Sequence, residues 1–198
     1  GMDKKKIGIM MDQFGVYERL SCADNLKIYA DIYGIPYSRV YEILDYVGLK
    51  EAYKRSASNL SKGMGARLRL ARVFMHSPKI IFLDEPTSGL DPRSMLAIHK
   101  LILEKKKEGC TIFLTTHNME EASSLCDEVA LLNEGTIVEM GKPLDVCRKY
   151  NHKILLCILF LEMILKFLIM IRIEFVNYYH QILLKRFILQ NQILKLYS

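Results

Sequence analysis

The chain has 198 residues, of which 51% are hydrophobic and 25% are charged, and its formal net charge is +6. These values suit one globular domain with a buried core, and they exclude a disordered or fibrous chain. The five cysteines are odd in number and have no metal-ligand spacing, and no signal peptide is recognisable, so we expect a reduced, cytosolic protein. The basic residues are scattered rather than clustered with aromatic residues, which argues against a nucleic-acid partner.

Residues 6–150 alternate short β-rich runs with longer helical patterns, which predicts an α/β domain with a parallel sheet and flanking helices. Apolar runs between turn residues mark the strands, and serine caps, glycine stops and helical periodicity mark the helices. The predicted strands cover residues 6–10, 79–83, 111–115, 129–132 and 136–139. The predicted helices cover residues 21–33, 38–47, 63–75, 92–108 and 119–125.

Two adjacent carboxylates follow a continuous apolar run. Residues 80–83 are Ile-Ile-Phe-Leu, which is typical of a buried parallel strand, and Asp84 and Glu85 come directly after them. In nucleotide hydrolases of the P-loop type, an acid at the carboxyl edge of a strand holds the magnesium bound to the phosphates. A second acid there can orient or deprotonate an attacking water. Taken alone, the pair equally fits a strand followed by a solvated acidic turn.

Three further segments accompany this pair. Residues 59–64 (Asn-Leu-Ser-Lys-Gly-Met) precede a predicted helix, whose free N–H groups and positive dipole end suit a phosphate, although Ser61 also fits an ordinary N-cap. Residues 88–91 (Ser-Gly-Leu-Asp) follow the carboxylates. His117 ends a predicted strand, where an imidazole can contact a terminal phosphate or serve a structural role.

The order and spacing of these segments resemble the nucleotide-binding domain of ATP-binding cassette (ABC) transporters, most closely bacterial exporters of the bacitracin or lantibiotic type. The resemblance runs from about residue 6 to residue 150. The matching segments are residues 60–64 for the signature loop, 83–86 for Walker B, 88–91 for the D-loop, 115–117 for the switch histidine and 12–14 for the Q-loop.

The resemblance implies a role for each matching residue. Glu85 would polarise the hydrolytic water, His117 would contact the γ-phosphate of ATP, and Gln13 would sense the magnesium ion and the water. Asp84 would hold Mg²⁺, with Gln13 beside it. The residues implied to bind ATP held by a second copy, in a head-to-tail dimer, are Ser61, Lys62, Gly63, Met64 and Asp91.

The resemblance also implies a fold and a setting. The fold would be a parallel sheet of the P-loop NTPase kind, with an α-helical subdomain at about residues 23–60. That subdomain would dock on a transmembrane permease, so the chain would lie in the cytoplasm against the inner face of the cell membrane. ATP and Mg²⁺ would be its cofactors.

The sequence departs from the family pattern at two positions of the signature loop and again ahead of Gln13. Lys62 stands where the signature consensus has glycine, and Met64 stands where it has glutamine. The larger departure is that no Gly-x-x-x-x-Gly-Lys-Ser/Thr phosphate loop occurs, and only twelve residues precede Gln13, where the family has several dozen. We therefore expect residues 1–150 to be the C-terminal two-thirds of the domain, with an incomplete sheet. We also expect this chain alone to bind ATP poorly and to hydrolyse it hardly at all.

Residues 151–198 differ in kind from the rest. They contain 20 Ile or Leu residues but no Gly, Ala, Pro, Asp or Thr. A membrane anchor over residues 154–171 and an apolar helix packed on the domain are two interpretations. We prefer a third, a frameshift near residues 153–160, because this narrow set of amino acids is what AT-rich DNA encodes in a wrong frame.

The functional hypothesis is the ATP-hydrolysing subunit of a bacterial ABC exporter, represented by an incomplete chain. The alternative is a non-catalytic remnant or interaction module that dimerises or docks without hydrolysing ATP. A family member acting in DNA repair or translation would carry coiled-coil heptads or a second cassette, and the sequence has neither.

Overall fold

The computed structural model describes residues 6–11, 16–133, 135–149 and 156–157. All of these belong to one compact unit, residues 1–159. The second unit, residues 160–198, lies outside the described residues, and so does the segment considered as a membrane anchor, residues 154–171, apart from residues 156–157. None of the helices in the described part of the chain has both the length and the apolarity needed to cross a bilayer.

Strands and helices alternate over the described residues. The strands are β1 Ile7–Met10, β2 Ile80–Asp84, β3 Thr111–Thr115, β4 Val129–Asn133, β5 Thr136–Gly141 and β6 Leu156–Cys157. The helices are α1 Cys22–Tyr33, α2 Ser38–Tyr46, α3 Lys62–Phe74, α4 Pro92–Lys107, α5 Met119–Leu125 and α6 Pro143–Lys149. Two 3₁₀ turns, Lys50–Ala52 and Ala57–Asn59, lead from α2 to α3.

The strands form one sheet in the order β1-β2-β3-β6-β4-β5. Strands β1, β2 and β3 are parallel, and their register aligns Leu83 with Leu114 and Asp84 with Thr115. Strands β4 and β5 form an antiparallel hairpin, and β6 pairs antiparallel with both β3 and β4. The parallel pairing brings the carboxyl ends of β2 and β3 to one edge, where the candidate carboxylates follow β2.

Three helices have a polar N-cap residue next to the helix start that the sequence predicts. Ser21 accepts a hydrogen bond from the backbone N–H of Asp24 at 3.0 Å, and Ser61 accepts one from Met64 at 3.2 Å. Asp91 accepts one from the N–H of Ser94 at 3.0 Å, with proline at the first helical position. Each such cap contributes about 1 kcal/mol to stability, because the N–H groups of a first helical turn have no partner inside the helix.

A single hydrophobic core joins α1, α2 and α3 to strands β2 and β3 and to α4. The apolar stripe of α2 and its C-cap, formed by Val40, Ile43, Leu44 and Val47, is fully buried in it. Burial of each large side chain of this kind contributes about 1.5–3 kcal/mol. A smaller cluster packs α5 and α6 against β4. The helices between β1 and β2 therefore pack on the same core that supports the carboxyl edge of the sheet.

Strand β6 and helix α6 go beyond the sequence prediction. The predicted parallel strands β1, β2 and β3 are confirmed, and β4, β5 and β6 extend their sheet with antiparallel pairs. Helix α6 was not predicted, since it has seven residues and follows Gly141 and Lys142 without a clear apolar period. The remaining predicted strands and helices are confirmed to within two residues at each end.

Gly34 ends α1 in a left-handed backbone conformation. It has φ +65°, and a Cβ placed there meets nothing within 4 Å, so the only cost of a side chain is the left-handed backbone conformation. We expect Gly34→Ala to lower the free energy of unfolding in urea by about 1 kcal/mol. Gly34→Asn should retain more stability, because asparagine tolerates this conformation better. Equal losses in the two variants would contradict this account of the helix end.

Candidate functional site

Asp84 lies at the carboxyl edge of the sheet with an exposed side chain. The hydroxyl of Thr115, its neighbour in β3, donates a short hydrogen bond to Oδ1 of Asp84. The pairing register of the two strands creates this contact, since neither residue is near the other in sequence. Asp84 is therefore held in one orientation at the point where the two parallel strands end.

Glu85 follows with an unusual backbone conformation. Its φ is +45°, in the left-handed region that costs a non-glycine residue about 1–2 kcal/mol. Its N–H donates to the carbonyl oxygen of Thr115 at 3.0 Å and lies 3.3 Å from the Thr115 hydroxyl oxygen. Thr115 thus orients the Asp84 carboxylate and holds the strained backbone of Glu85 through its N–H.

The side chain of Glu85 meets the predicted histidine. Nδ1 of His117 lies 2.8 Å from Oε1 of Glu85, with the Glu85 side chain 29% exposed and that of His117 69% exposed. The hydrogen bond to Glu85, followed by the charge of Glu85, raises the pKa of His117 above its usual 6.5. The structure therefore brings together Asp84, Glu85 and His117, three of the residues that the sequence singled out.

The segment of Ser61, Lys62, Gly63 and Met64 forms the start of α3. Ser61 caps the helix, as the simpler interpretation of this serine predicted, and its side chain is bonded to the Met64 N–H. The Met64 sulfur lies 3.9 Å from a guanidinium nitrogen of Arg55. Lys62 is exposed, and its Nζ lies 4.0 Å from the position of a Cβ built on Gly89. The start of α3 thus faces the turn that precedes α4.

Gly63 is buried because the first turn of α4 approaches it closely. A Cβ built on Gly63 would lie 2.3 Å from Oγ and 2.7 Å from Cβ of Ser94. Packing against α4 therefore requires glycine at position 63 whether or not a phosphate binds nearby. Asp91, the cap of α4, has an exposed carboxylate whose pKa is lowered by its hydrogen bonds to Ser94.

The predicted site residues thus fall into two groups. Asp84, Glu85 and His117 lie at the sheet edge. The second group lies at the starts of α3 and α4: Ser61, Lys62, Gly63, Met64 and Asp91. Gln13 lies outside the described residues.

A magnesium ion at the sheet edge would rely on few protein ligands. Across residues 6–11, 16–133 and 135–149, no group of three or more His, Cys, Asp or Glu side chains could hold a metal ion. Asp84 offers one exposed carboxylate, oriented by Thr115. That arrangement fits Mg²⁺, which proteins usually hold through one or two carboxylates together with substrate phosphates and water.

Sequence reasoning missed two parts of the site. One is Thr115, whose hydroxyl donates to the Asp84 carboxylate and accepts the backbone N–H of Glu85. The other is a buried polar group of Thr87, His99 and Glu121, in which Thr87 Oγ1 donates to Oε1 of Glu121 at 2.7 Å. The sequence did contain a sign of this group. Glu121 and Leu125 are four residues apart in the predicted helix, so an acidic side chain lies on its apolar face.

Gly63 and Gly65 form a matched pair for testing the helix contact. We expect Gly63→Ala to lower the free energy of unfolding by about 1–3 kcal/mol, because the new methyl group overlaps Ser94. Gly65→Ala should raise it by up to about 1 kcal/mol, since nothing lies within 4 Å of that position and alanine favours the helix. Urea denaturation measures both. Introducing Gly63→Ala into a Ser94→Gly background should cost less, and an unchanged cost would show that the loss arises elsewhere.

The contact between Glu85 and His117 predicts a pH dependence. A histidine pKa raised by folding adds stability below about pH 6.5, and this contribution is lost as the pH rises through the pKa of the folded state. In an NMR titration of the imidazole, the midpoint of His117 should lie above its usual value, and Glu85→Gln should lower it. Glu120→Gln, at an exposed position of α5, is the control. A midpoint that Glu85→Gln leaves unchanged would exclude the contact.

Comparisons with known proteins agree with the resemblance. The sequence model of the family described as ABC transporter matches residues 2–88. The chain is 33% identical over 150 residues to the linearmycin resistance ATP-binding protein LnrL of Bacillus subtilis (strain 168), covering 74% of this chain and 48% of that protein. It is 37% identical over 153 residues to the bacitracin transport ATP-binding protein BcrA of Bacillus licheniformis, covering 76% and 50%. The chain spans about half the length of the curated relatives it matches.

A solved structure described as the ATP-binding subunit of an ABC transporter has the same architecture. It superposes with a TM-score of 0.62 at 26% sequence identity, covering 74% of this chain and 62% of that one. The expected fold, a P-loop NTPase-like sheet with flanking helices, is therefore confirmed. From the family match, the relatives and the fold together, the chain belongs to the ABC transporter family of ATP-binding proteins.

Proposed function

We propose that residues 1–150 form the C-terminal two-thirds of the nucleotide-binding domain of an ATP-hydrolysing subunit that drives export through an ABC transporter. The observation that carries this proposal is the contact of 2.8 Å between Glu85 and His117 beside Asp84 at the carboxyl edge of the sheet. An acid that can hold Mg²⁺ and a second acid that can orient a water suit hydrolysis of a terminal phosphate, and the imidazole beside them can contact that phosphate.

Each group then has a separate task. Asp84 would hold Mg²⁺, which neutralises charge on the phosphates of ATP when it is bound. Glu85 would accept a hydrogen bond from the attacking water and turn its lone pair toward the phosphorus. His117 would donate to the γ-phosphate, and its raised pKa favours the protonated, donating form. Gln13 is proposed as a further contact to the magnesium ion and the water.

The second group of residues would act on ATP held by another nucleotide-binding domain. Ser61, Gly63 and Met64 belong to the first turn of α3 or its cap, where N–H groups and the helix dipole favour an anion. Lys62 adds an exposed ammonium where the family consensus has glycine, and Asp91 would contact the same partner. Head-to-tail dimerisation would place this loop opposite the partner's nucleotide.

Export and membrane association are proposed from the relatives. LnrL is named for linearmycin resistance and BcrA for bacitracin transport, which favours export of an antimicrobial compound. A transmembrane permease would then be the main partner, and the chain would act at the cytoplasmic face of the membrane. The helices between β1 and β2 are the proposed docking region.

A second candidate function is binding without hydrolysis. It is favoured by the absence of a Gly-x-x-x-x-Gly-Lys-Ser/Thr pattern anywhere in the 198 residues, because this loop supplies most contacts to the phosphates. Under this candidate, the chain dimerises or docks on a partner while hydrolysing little or no ATP.

The two candidates are distinguished by supplying the missing loop. We expect the chain alone to bind ATP weakly in a calorimetric titration with Mg²⁺. Joining the phosphate-loop segment of BcrA ahead of residue 6 should produce Mg²⁺-dependent hydrolysis, and Glu85→Gln should reduce that rate about 100-fold or more. Glu120→Gln is the matched control and should leave the rate unchanged. A joined protein that binds ATP but hydrolyses none supports the second candidate, and unchanged hydrolysis with Glu85→Gln contradicts the role of Glu85.

A further inference from the structure

A buried carboxylate lies behind the sheet edge and does not reach the candidate site itself. Glu121 in α5 is 1% exposed, and its Oε1 accepts two hydrogen bonds. Thr87 Oγ1 donates one at 2.7 Å, and Nε2 of His99 lies at 3.1 Å as the second partner. Thr87 and His99 are themselves 8% and 7% exposed, so the whole group is enclosed.

An enclosed carboxylate needs compensation, because burying an ionised group costs several kcal/mol unless it is paired and hydrogen-bonded. Burial acts to raise the pKa of Glu121, but its hydrogen bonds, led by that of His99, outweigh burial and lower the pKa. Glu121 is therefore ionised at neutral pH and serves as a strong acceptor. Those bonds join three segments of the chain.

The three segments are the ones that carry candidate site residues. Thr87 stands two residues after Glu85, in a turn closed by a bond from the Ser88 N–H to the Glu85 carbonyl oxygen. His99 lies in α4, whose cap is Asp91. Glu121 lies in α5, which begins just after His117. One carboxylate thus connects the turn of Glu85 to two helices.

Two hydrogen bonds from backbone N–H groups also connect Glu121 to the residues on either side of His117. The backbone N–H of Glu121 lies 3.3 Å from Oδ1 of Asn118, the cap of α5. The Asn118 N–H in turn donates to the Thr116 hydroxyl at 3.0 Å. His117 therefore lies between two residues that are hydrogen-bonded to each other, and one of them, Asn118, caps the helix that supplies the buried carboxylate.

We infer that Glu121 is a positioning residue, which sets the contact between Glu85 and His117 by binding Thr87 from α5. The inference rests on the proposed function, since the contact matters for hydrolysis only if Glu85 and His117 act on ATP. Neither Glu121 nor Thr87 touches the water or the phosphate. Together they determine how far apart the two turns stand.

The first test uses two substitutions at Thr87 in the 198-residue chain without nucleotide. Thr87→Val keeps the shape but removes the O–H donor, and Thr87→Ser keeps the donor. Neither changes any charge. The readout is the NMR titration midpoint of His117, which reports its contact with Glu85. We expect Thr87→Val to lower this midpoint as Glu85→Gln does, and Thr87→Ser to leave it near that of the unaltered chain. An unaltered midpoint in a folded Thr87→Val chain would overturn the inference, even if thermal stability falls.

A second test remains informative if Thr87→Val fails to fold. Glu121 also raises the pKa of His117 directly through its charge, and this effect is present whether or not Glu85 is in place. Glu121→Gln should therefore be introduced both into the unaltered chain and into the Glu85→Gln chain. Positioning predicts a larger drop in the first background than in the second, because only the first has a contact to lose. If the midpoint of His117 dropped equally in both backgrounds, Glu121 would act on it only through its charge, and the inference would be overturned.

These measurements are independent of nucleotide chemistry. A chain that hydrolyses no ATP in any form would contradict the proposed function while the His117 titration still reports the contact. Conversely, the joined protein could hydrolyse ATP while the His117 midpoint stays unchanged in the Thr87 and Glu121 variants. That result would support the proposed function and show that Glu121 has no positioning role in it.

Discussion

The pairing register of β2 and β3 is the constraint on which the candidate site depends. It sets Asp84 opposite Thr115. The Thr115 hydroxyl donates to the Asp84 carboxylate, and the Thr115 carbonyl oxygen accepts the backbone N–H of Glu85. A shift of one residue would turn both side chains to the other face of the sheet. The strained backbone of Glu85 is acceptable only because these bonds and the core beneath them hold it.

The site is built in layers of increasing distance from solvent. His117 is largely exposed, Glu85 is partly covered, and Glu121 behind them is enclosed. Electrostatic interactions strengthen in the same direction, because water screens the outer pair and not the inner one. The inner hydrogen bonds are therefore the less screened ones, and they join the turns that carry the outer contact.

The sequence was sufficient for the features that arise from local rules. Ser21, Ser61 and Asp91 cap the predicted helices, and the apolar runs form the central strands. The sequence also identified Asp84, Glu85 and His117 as candidates, by their order and by a family resemblance. It did not predict the bonds of Thr115 and Glu121, because these join residues 22–34 positions apart and follow from packing rather than periodicity. Helix α6 and strand β6 were missed since such short segments carry little periodic signal.

The approach of α4 to Gly63 has a mechanical consequence. With no side chain between them, the backbone at the start of α3 and the Ser94 side chain in the first turn of α4 meet at van der Waals distance. Such a contact resists compression and leaves no room for sliding. A force applied at Lys62 would therefore be transmitted to Asp91 as displacement of a single rigid body. The starts of the two helices would therefore move together and not independently.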